Sequence, residues 1–172
     1  MEFIISKAGR EHGQEFARLI QQVWEAMEQK EWFVADSPSF IEESMISGRA
    51  GGYWAKEIQT GRTAGVFLAV IPGPGSENLG KEGGLSREER KLAVHMDTVA
   101  VLPWFRGLGL QRKLMEQAEK DLKKEGFRYF LCTVHPDNRF SRENMEKLGY
   151  RQVWVGEKYG GYMRAVMMKR SE

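Results

Sequence analysis

The sequence predicts an α/β fold built on a mixed β-sheet. Three observations carry that expectation. The inferred elements run β-α-α-β-β-β-α-β-α-β-β along 172 residues. Strand runs near both ends are joined by short Gly-containing turns, as in antiparallel hairpins. At the centre lies a strand–helix–strand unit, the connection that parallel neighbours require. No internal repeat or linker interrupts the chain, so a single domain spanning 1–172 is expected.

The elements follow in order. Residues 3–7 make a short strand run. Phe16, Ala17, Ile20, Val23, Trp24 and Met27 then recur at helical spacing, with Glu15, Gln21, Gln22 and Glu28 between them. Asp36-Ser37-Pro38 leads into a second helix over 38–47, closed by Gly48. Gly51 and Gly52 open a hairpin with arms Tyr53–Ile58 and Ala64–Ile71, joined at Gln59-Thr60-Gly61-Arg62. From 72 to 91 the chain is rich in Gly, Pro and Glu without apolar period. That predicts a long surface loop, a mobile insertion in preference to a functional one, in which Ser86 and Glu89 have capping-box spacing. Ala93–Leu102 reads as a strand stopped by Pro103, and Arg106 to Lys124 as a helix with Leu110, Leu114, Ala118 and Leu122 on one face. Phe127–Val134 is a strand stopped by His135-Pro136-Asp137. Asp137 or Asn138 then caps a helix running to Leu148, with Gly149 as its stop. Tyr150–Val155 and Tyr162–Lys169 flank a Gly160-Gly161 turn.

Composition narrows the function classes. Lys and Arg total 26 against 24 Asp and Glu, a formal charge of +2, which argues against a dedicated nucleic-acid binder. The basic residues Arg112, Lys113, Lys120, Lys123 and Lys124 are offset by Glu116, Glu119 and Asp121, so their helix reads as a solvated face. No run approaches the ~18 apolar residues of a membrane span. The N-terminal stretch lacks a basic region and the apolar length of a signal peptide. Cys132 is the only cysteine, and His12, His95 and His135 are widely spaced. No disulfide and no metal-ligand cluster is therefore expected, and a reducing, cytoplasmic location is.

The chemistry-bearing stretch is Val99-Ala100-Val101-Leu102-Pro103-Trp104-Phe105-Arg106-Gly107-Leu108-Gly109-Leu110-Gln111. A strand ends at proline, and a loop with two glycines enters a helix. Glycines let successive N–H groups converge, and the helix start adds unpaired donors and the positive end of its dipole. The product is an anion cradle with Arg106 at its rim. A Walker A loop needs Gly-Lys-Ser/Thr, which is absent. A dinucleotide fingerprint needs a third small residue and an acid about 20 residues on. The next strand ends in Cys132-Thr133-Val134 instead. The remaining pattern, Arg/Gln-x-x-Gly-x-Gly/Ala after a strand and proline, grips the pyrophosphate of coenzyme A. Arg106 to Gln111 fits it except at the last position.

Here the chain resembles the GNAT family, the Gcn5-related N-acetyltransferases. A second block strengthens the likeness: Asn138, Ser141, Gly149 and Tyr150 match the family's Asn-x-x-Ala/Ser…Gly-Phe/Tyr pattern in the helix after the next strand. Together the blocks cover about residues 92–157. The resemblance implies a largely antiparallel sheet with a central splayed parallel strand pair, flanked by about four helices, with acetyl-CoA wedged at the splay. Backbone groups of Val99, Ala100 and Val101 would meet the pantetheine arm. Those of Arg106, Gly107, Leu108, Gly109, Leu110 and Gln111 would hold the pyrophosphate, and Asn138 and Ser141 would approach the coenzyme. Asn138 reads equally as a plain helix cap. Gln111 departs from the pattern, as does Met145, which stands where the family often has a tyrosine that protonates the thiolate. Water, Tyr150, Tyr159 or Tyr162 would have to serve.

An amine acceptor must lose a proton before attack. Strand alternation places His95 and Asp97 on one face, Met96 and Thr98 on the other. Arylalkylamine acetyltransferases within the family carry two histidines at these offsets, so His95 and Asp97 are the candidate catalytic pair. Either could instead be a structural strand residue. Glu31-Trp32-Phe33-Val34-Ala35-Asp36 offers aromatic and acidic surface suited to a cationic amine, with Trp54, Trp104 and Tyr162 as further candidates. Cys132 sits in an apolar strand and reads as a packing residue. The expected activity is direct acetyl transfer from acetyl-CoA to a small-molecule or peptide amine, without nucleic acid, membrane or metal. A non-catalytic coenzyme-A-binding module is the alternative, and the family likeness allows a homodimer through the final strands.

Overall fold

The computed structural model describes residues 1–172. Its strands are β1 (Phe3–Lys7), β2 (Ala50–Glu57), β3 (Thr63–Val70), β4 (Ala93–Val101), β5 (Tyr129–Val134), β6 (Arg151–Lys158) and β7 (Tyr162–Arg170). Its helices are α1 (Gly13–Glu25), α2 (Pro38–Ile46), α3 (Arg87–Arg90), α4 (Leu110–Lys124) and α5 (Arg139–Lys147). The seven strands form one sheet in the order β1-β2-β3-β4-β5-β7-β6. The pairs β1/β2, β2/β3, β5/β7 and β6/β7 are antiparallel, and β4/β5 is parallel. The mixed, largely antiparallel sheet expected from the sequence is therefore present. The parallel ladder runs from Ala93↔Tyr129 to His95↔Leu131 and stops there, so β4 continues for six residues without a β5 partner.

The residues group into two compact units. The first holds 1–28, 35–70 and 97–121, hence β1–β3, the end of β4, α1, α2 and most of α4. Phe16, Ile20, Ile41, Met45, Phe67 and Leu114 are fully buried in it, each worth roughly 1.5–3 kcal/mol relative to exposure. Ser37 caps α2 by accepting from the Phe40 amide (3.2 Å), with Pro38 as its first residue. Gly51 and Gly52 lie inside β2 rather than ahead of it. A Cβ on Gly52 would stand 2.7 Å from the Phe16 ring and from Met45 Cε, so glycine here is the condition for α1 and α2 to pack on the strand.

The second unit holds 29–34, 71–96 and 122–172. Residues 72–91, expected as a long surface loop, pack around one buried side chain. Asn78 Nδ2 donates to the carbonyls of Gly73 (2.8 Å) and Arg90 (3.0 Å), and its Oδ1 accepts from the Gly80 amide (2.8 Å). The Arg90 guanidinium donates to the carbonyls of Pro74 and Leu85. Leu79 and Leu85 enter an apolar cluster with Ala93, Leu131, Val166 and Met168. The Ser86–Glu89 capping box forms, and Glu82 pairs with Lys158 on β6. Side-chain-to-backbone bonds hold this segment, and such bonds leave no hydrophobic period to read.

Candidate active site

Along β4, Val94, Met96, Thr98 and Ala100 are buried, while His95, Asp97, Val99 and Val101 are more open. His95 and Asp97 thus share a face, as alternation requires. The strand ends where the Leu102 amide bonds the Ala64 carbonyl (2.9 Å). Pro103–Phe105 then makes one 3-10 turn, pinned by the buried Phe105 ring edge-on to Phe3. Gly107 (φ 79°) and Gly109 (φ 73°) take left-handed conformations. The helix consequently begins at Leu110, not at Arg106 as the sequence suggested, because left-handed residues cannot join a right-handed helix.

This start produces a donor-rich loop. The first bond of α4 runs from the Lys113 amide to the Gly109 carbonyl (3.1 Å), and no backbone carbonyl accepts from the amides of 107–112. Arg106 to Gly109 are exposed, Leu110 is buried and Gln111 is half-buried on the first turn. A Cβ at Gly107 or Gly109 would meet nothing within 4 Å, so the space over the loop is open. Converging free N–H groups, the positive end of a 15-residue helix and the Arg106 side chain on the same loop make a fitting receptor for a diphosphate.

On the same strand Asp97 is within reach of water yet densely surrounded by protein. Its carboxyl hydrogen-bonds that of Asp36 and accepts from Thr98 Oγ1 (3.0 Å). Burial first, then the bond to Asp36 and its charge, push the Asp97 carboxyl well above the ordinary aspartate range; the Thr98 hydroxyl opposes them. Such a pair holds a proton between its members at pH values where a lone aspartate has lost it.

His95 has a different setting. Its Nε2 accepts a hydrogen bond from the Leu79 amide (3.0 Å), so that lone pair is engaged in holding the 72–91 segment. Asn138 Oδ1 accepts from the Ser141 amide (3.2 Å) and caps α5, which leaves its Nδ2 group to donate elsewhere. Met145 is buried on α5, and Tyr150, whose amide bonds the Met145 carbonyl (3.0 Å), is buried too, whereas Tyr159 and Tyr162 are exposed. Tyr159 Oη lies 3.3 Å from Thr133 Oγ1. Trp54 belongs to the packing at the start of α1, where Nε1 donates to Ser6 Oγ (3.1 Å) and the ring meets His12 and Phe16. Cys132 is buried in β5. No helix is long and apolar enough to cross a membrane.

The family model for the Acetyltransferase (GNAT) family matches residues 15–150. The chain belongs to the GNAT acetyltransferase family. Solved structures agree at the level of fold. An N-acetyltransferase from Staphylococcus aureus Mu50 shares 12% identity over 99% of each chain, with a TM-score of 0.71. The protein yncA of Salmonella typhimurium, solved with its cofactor acetyl-CoA, shares 15% identity over 99% of this chain and 94% of its own, with a TM-score of 0.70. The ribosomal-protein-S18-alanine N-acetyltransferase of Escherichia coli shares 17% identity over 98% and 94%, with a TM-score of 0.67.

The motif residues Arg106 to Gln111 and Asn138 to Tyr150 lie inside the matched span. Sequence reasoning grouped Asp36 only with an acceptor-facing segment and missed its bond to Asp97. The acidic residue just before a helix-capping Ser-Pro was the one available signal. Arg164, buried on β7, was missed altogether, since a basic residue between Met163 and Ala165 carries no motif.

Proposed function

We propose that this GNAT protein is an acetyl-CoA-dependent N-acetyltransferase acting by direct transfer to a cationic amine. The observation that carries the reading is the run of free amides at 107–112, directly after the strand that presents Asp97. Bound acetyl-CoA supplies an activated thioester. Arg106, Gly107, Leu108, Gly109, Leu110 and Gln111 hold its pyrophosphate through main-chain donors. Val99, Ala100 and Val101 lie beyond the last β4/β5 pair, so their backbone groups are not consumed by that ladder and serve the pantetheine arm.

Asp36 and Asp97 attract an ammonium group, and Asp97 accepts the proton that the amine sheds before attack. A raised carboxyl pKa suits that step, because a base whose pKa approaches the working pH is the more effective one. His95 is assigned to holding the strand and the 72–91 segment, since protonating Nε2 would break its bond to Leu79. A thiolate of pKa ~8.5 leaves without strong demand for an acid, which accommodates Met145. Orientation by the cradle supplies much of the acceleration.

Thermal-shift titration with acetyl-CoA, CoA, ATP and NAD in parallel, followed by thiol release with a panel of amines, tests this. A ligand at 100 times its Kd adds about 2.7 kcal/mol, or roughly 5–10 °C for a chain of this size. A shift with the two CoA species alone, then turnover with cationic amines, is expected. Met145 in place of a tyrosine favours a second reading, a coenzyme-A-binding module, and CoA binding without any turnover would select it.

A further inference from the structure

His95 is the last β4 residue paired with β5, opposite Leu131, and its half-buried ring meets the 72–91 segment. There the Leu79 amide donates to Nε2 (3.0 Å). An imidazole nitrogen accepts a hydrogen bond only while it carries no proton, so this bond requires the neutral ring, protonated on Nδ1. Adding a second proton sets one N–H against another.

Leu79 is poorly placed to lose that bond. Its side chain is 5% exposed and lies in the apolar cluster with Leu85, Ala93, Leu131, Val166 and Met168. Its chain neighbours Asn78 and Gly80 are buried as well, and the Gly80 amide bonds Asn78 Oδ1 (2.8 Å). A buried amide without an acceptor carries the full cost of its lost hydration. The 3-10 turn Leu79–Lys81 recovers that cost by leaving its seat.

The charged groups around this turn keep their form while an imidazole titrates. Glu82 pairs with Lys158, Glu88 with Lys91, and Glu89 accepts from the Ser86 amide and from Tyr129 Oη on β5. Arg90 donates to the carbonyls of Pro74 and Leu85, and Glu77, Lys81 and Arg87 are exposed. Exposed or paired glutamates ionise at about 4, and tyrosine, lysine and arginine lose protons only at about 10 or above. Besides Tyr129, β5 carries the buried Cys132, and β3 carries no titratable residue. On β4 itself Asp97 follows two residues on. His12 and His135 are engaged elsewhere, against Trp54 and Trp32.

We propose that His95 makes the 72–91 segment a pH-responsive strap: the neutral ring holds the Leu79 turn seated, and the protonated ring releases it. A strap held through an unprotonated nitrogen is fully seated above the titration of the ring and opens as pH falls through it. It operates whether or not the chain turns over an amine.

The test follows hydrogen exchange of the full chain across pH 5–8, corrected for the intrinsic rate at each pH, with the His95 ring titrated by NMR over the same range. Protection of the Leu79, Gly80 and Leu85 amides should fall roughly tenfold to hundredfold toward pH 5, as expected when a buried amide loses its acceptor. The fall should coincide with protonation of the ring, and amides within α1 should keep their protection. His95→Gln supplies an acceptor that takes no proton, so its protection should stay flat with pH. Asp97→Asn, which removes the other titrating group on β4, should respond as the wild type does. A segment still protected at pH 5, or a fall of equal size in His95→Gln, overturns the proposal. If His95→Gln does not fold, the wild-type chain decides alone: opening that does not track the ring overturns the strap, and opening that tracks it supports it.

Discussion

Asp97, on the strand that leads into the Gly107–Gly109 loop, meets the carboxyl of Asp36, on the connection between α1 and α2. Two carboxyls in contact cannot both be comfortably ionised, so the fold keeps a source of repulsion at this place.

The first expectation concerns stability against pH. Crowding and Asp36 hold the proton on Asp97 to a higher pH in the folded chain than in the unfolded one. The native state therefore binds more protons over that window. Stability falls as pH rises from the ordinary value of 3.8 through the raised one. Asp97→Asn removes the penalty, so its Tm should exceed that of the wild type near pH 7, and the gap should close as pH drops toward 4. Melting curves across pH 4–8 check this, and a variant less stable than the wild type at pH 7 would contradict it.

The same substitution should separate chemistry from coenzyme binding. Removing a general base typically costs about 10²–10⁴ in rate. Asp97→Asn should lose turnover on that scale while acetyl-CoA Kd, read by calorimetry, stays within about twofold. Comparable losses in both would move Asp97 from proton transfer to framework.

For the cradle, backbone conformation is the variable to change. Gly107 and Gly109 have open space where a Cβ would go, so alanine fails there through its left-handed φ, at about 1–2 kcal/mol, and not through a clash. Gly109→Ala should weaken acetyl-CoA binding roughly tenfold or more. Gly109→Asn should weaken it less, because asparagine tolerates that region. Equal losses for the two variants would point to side-chain obstruction instead.

Legibility from the sequence followed the range of the interactions. The strand, glycine pair and helix are contiguous, so 99–111 could be read as one strand–loop–helix unit whose two glycines turn the chain. Asn138 announced its cap for the same reason. The start of α4 at Leu110 was missed because only the two left-handed φ angles fix it. Placement of β7 between β5 and β6 was not readable either. Adjacent strand runs suggest a hairpin but not which arm turns inward. Asp36 with Asp97, and Arg164 with Glu31, meet across long separations through single polar bonds, and such contacts imprint no period on the chain.

His95 offers a test of role against type. Its Nε2 accepts from the Leu79 amide, and that contact ties β4 to the 72–91 segment. His95→Gln retains an acceptor, whereas His95→Phe leaves the amide without one at about 1–3 kcal/mol. The glutamine variant should keep most stability and activity, and the phenylalanine variant should lose protection of amides 79–91 in hydrogen exchange. A proton-transfer role would instead remove turnover in both variants, with 72–91 still protected.

Asn78 provides the sharpest test of whether 72–91 is a built element. Its side chain is fully buried and satisfies two carbonyls and one amide, those of Gly73, Arg90 and Gly80. Asn78→Ala leaves all three groups without that partner, and each unpaired buried group costs about 1–3 kcal/mol. Water can enter only if the segment opens, so opening is the expected response. Asn78→Asp keeps the acceptor for Gly80 but turns two donations into carboxylate-against-carbonyl contacts, and should be no better. Both variants should then be cut by protease within 72–91 while the wild type resists. Asn78→Ala resisting cleavage with an unchanged Tm would mean that Leu79, Leu85 and the Glu82–Lys158 pair suffice to hold the segment.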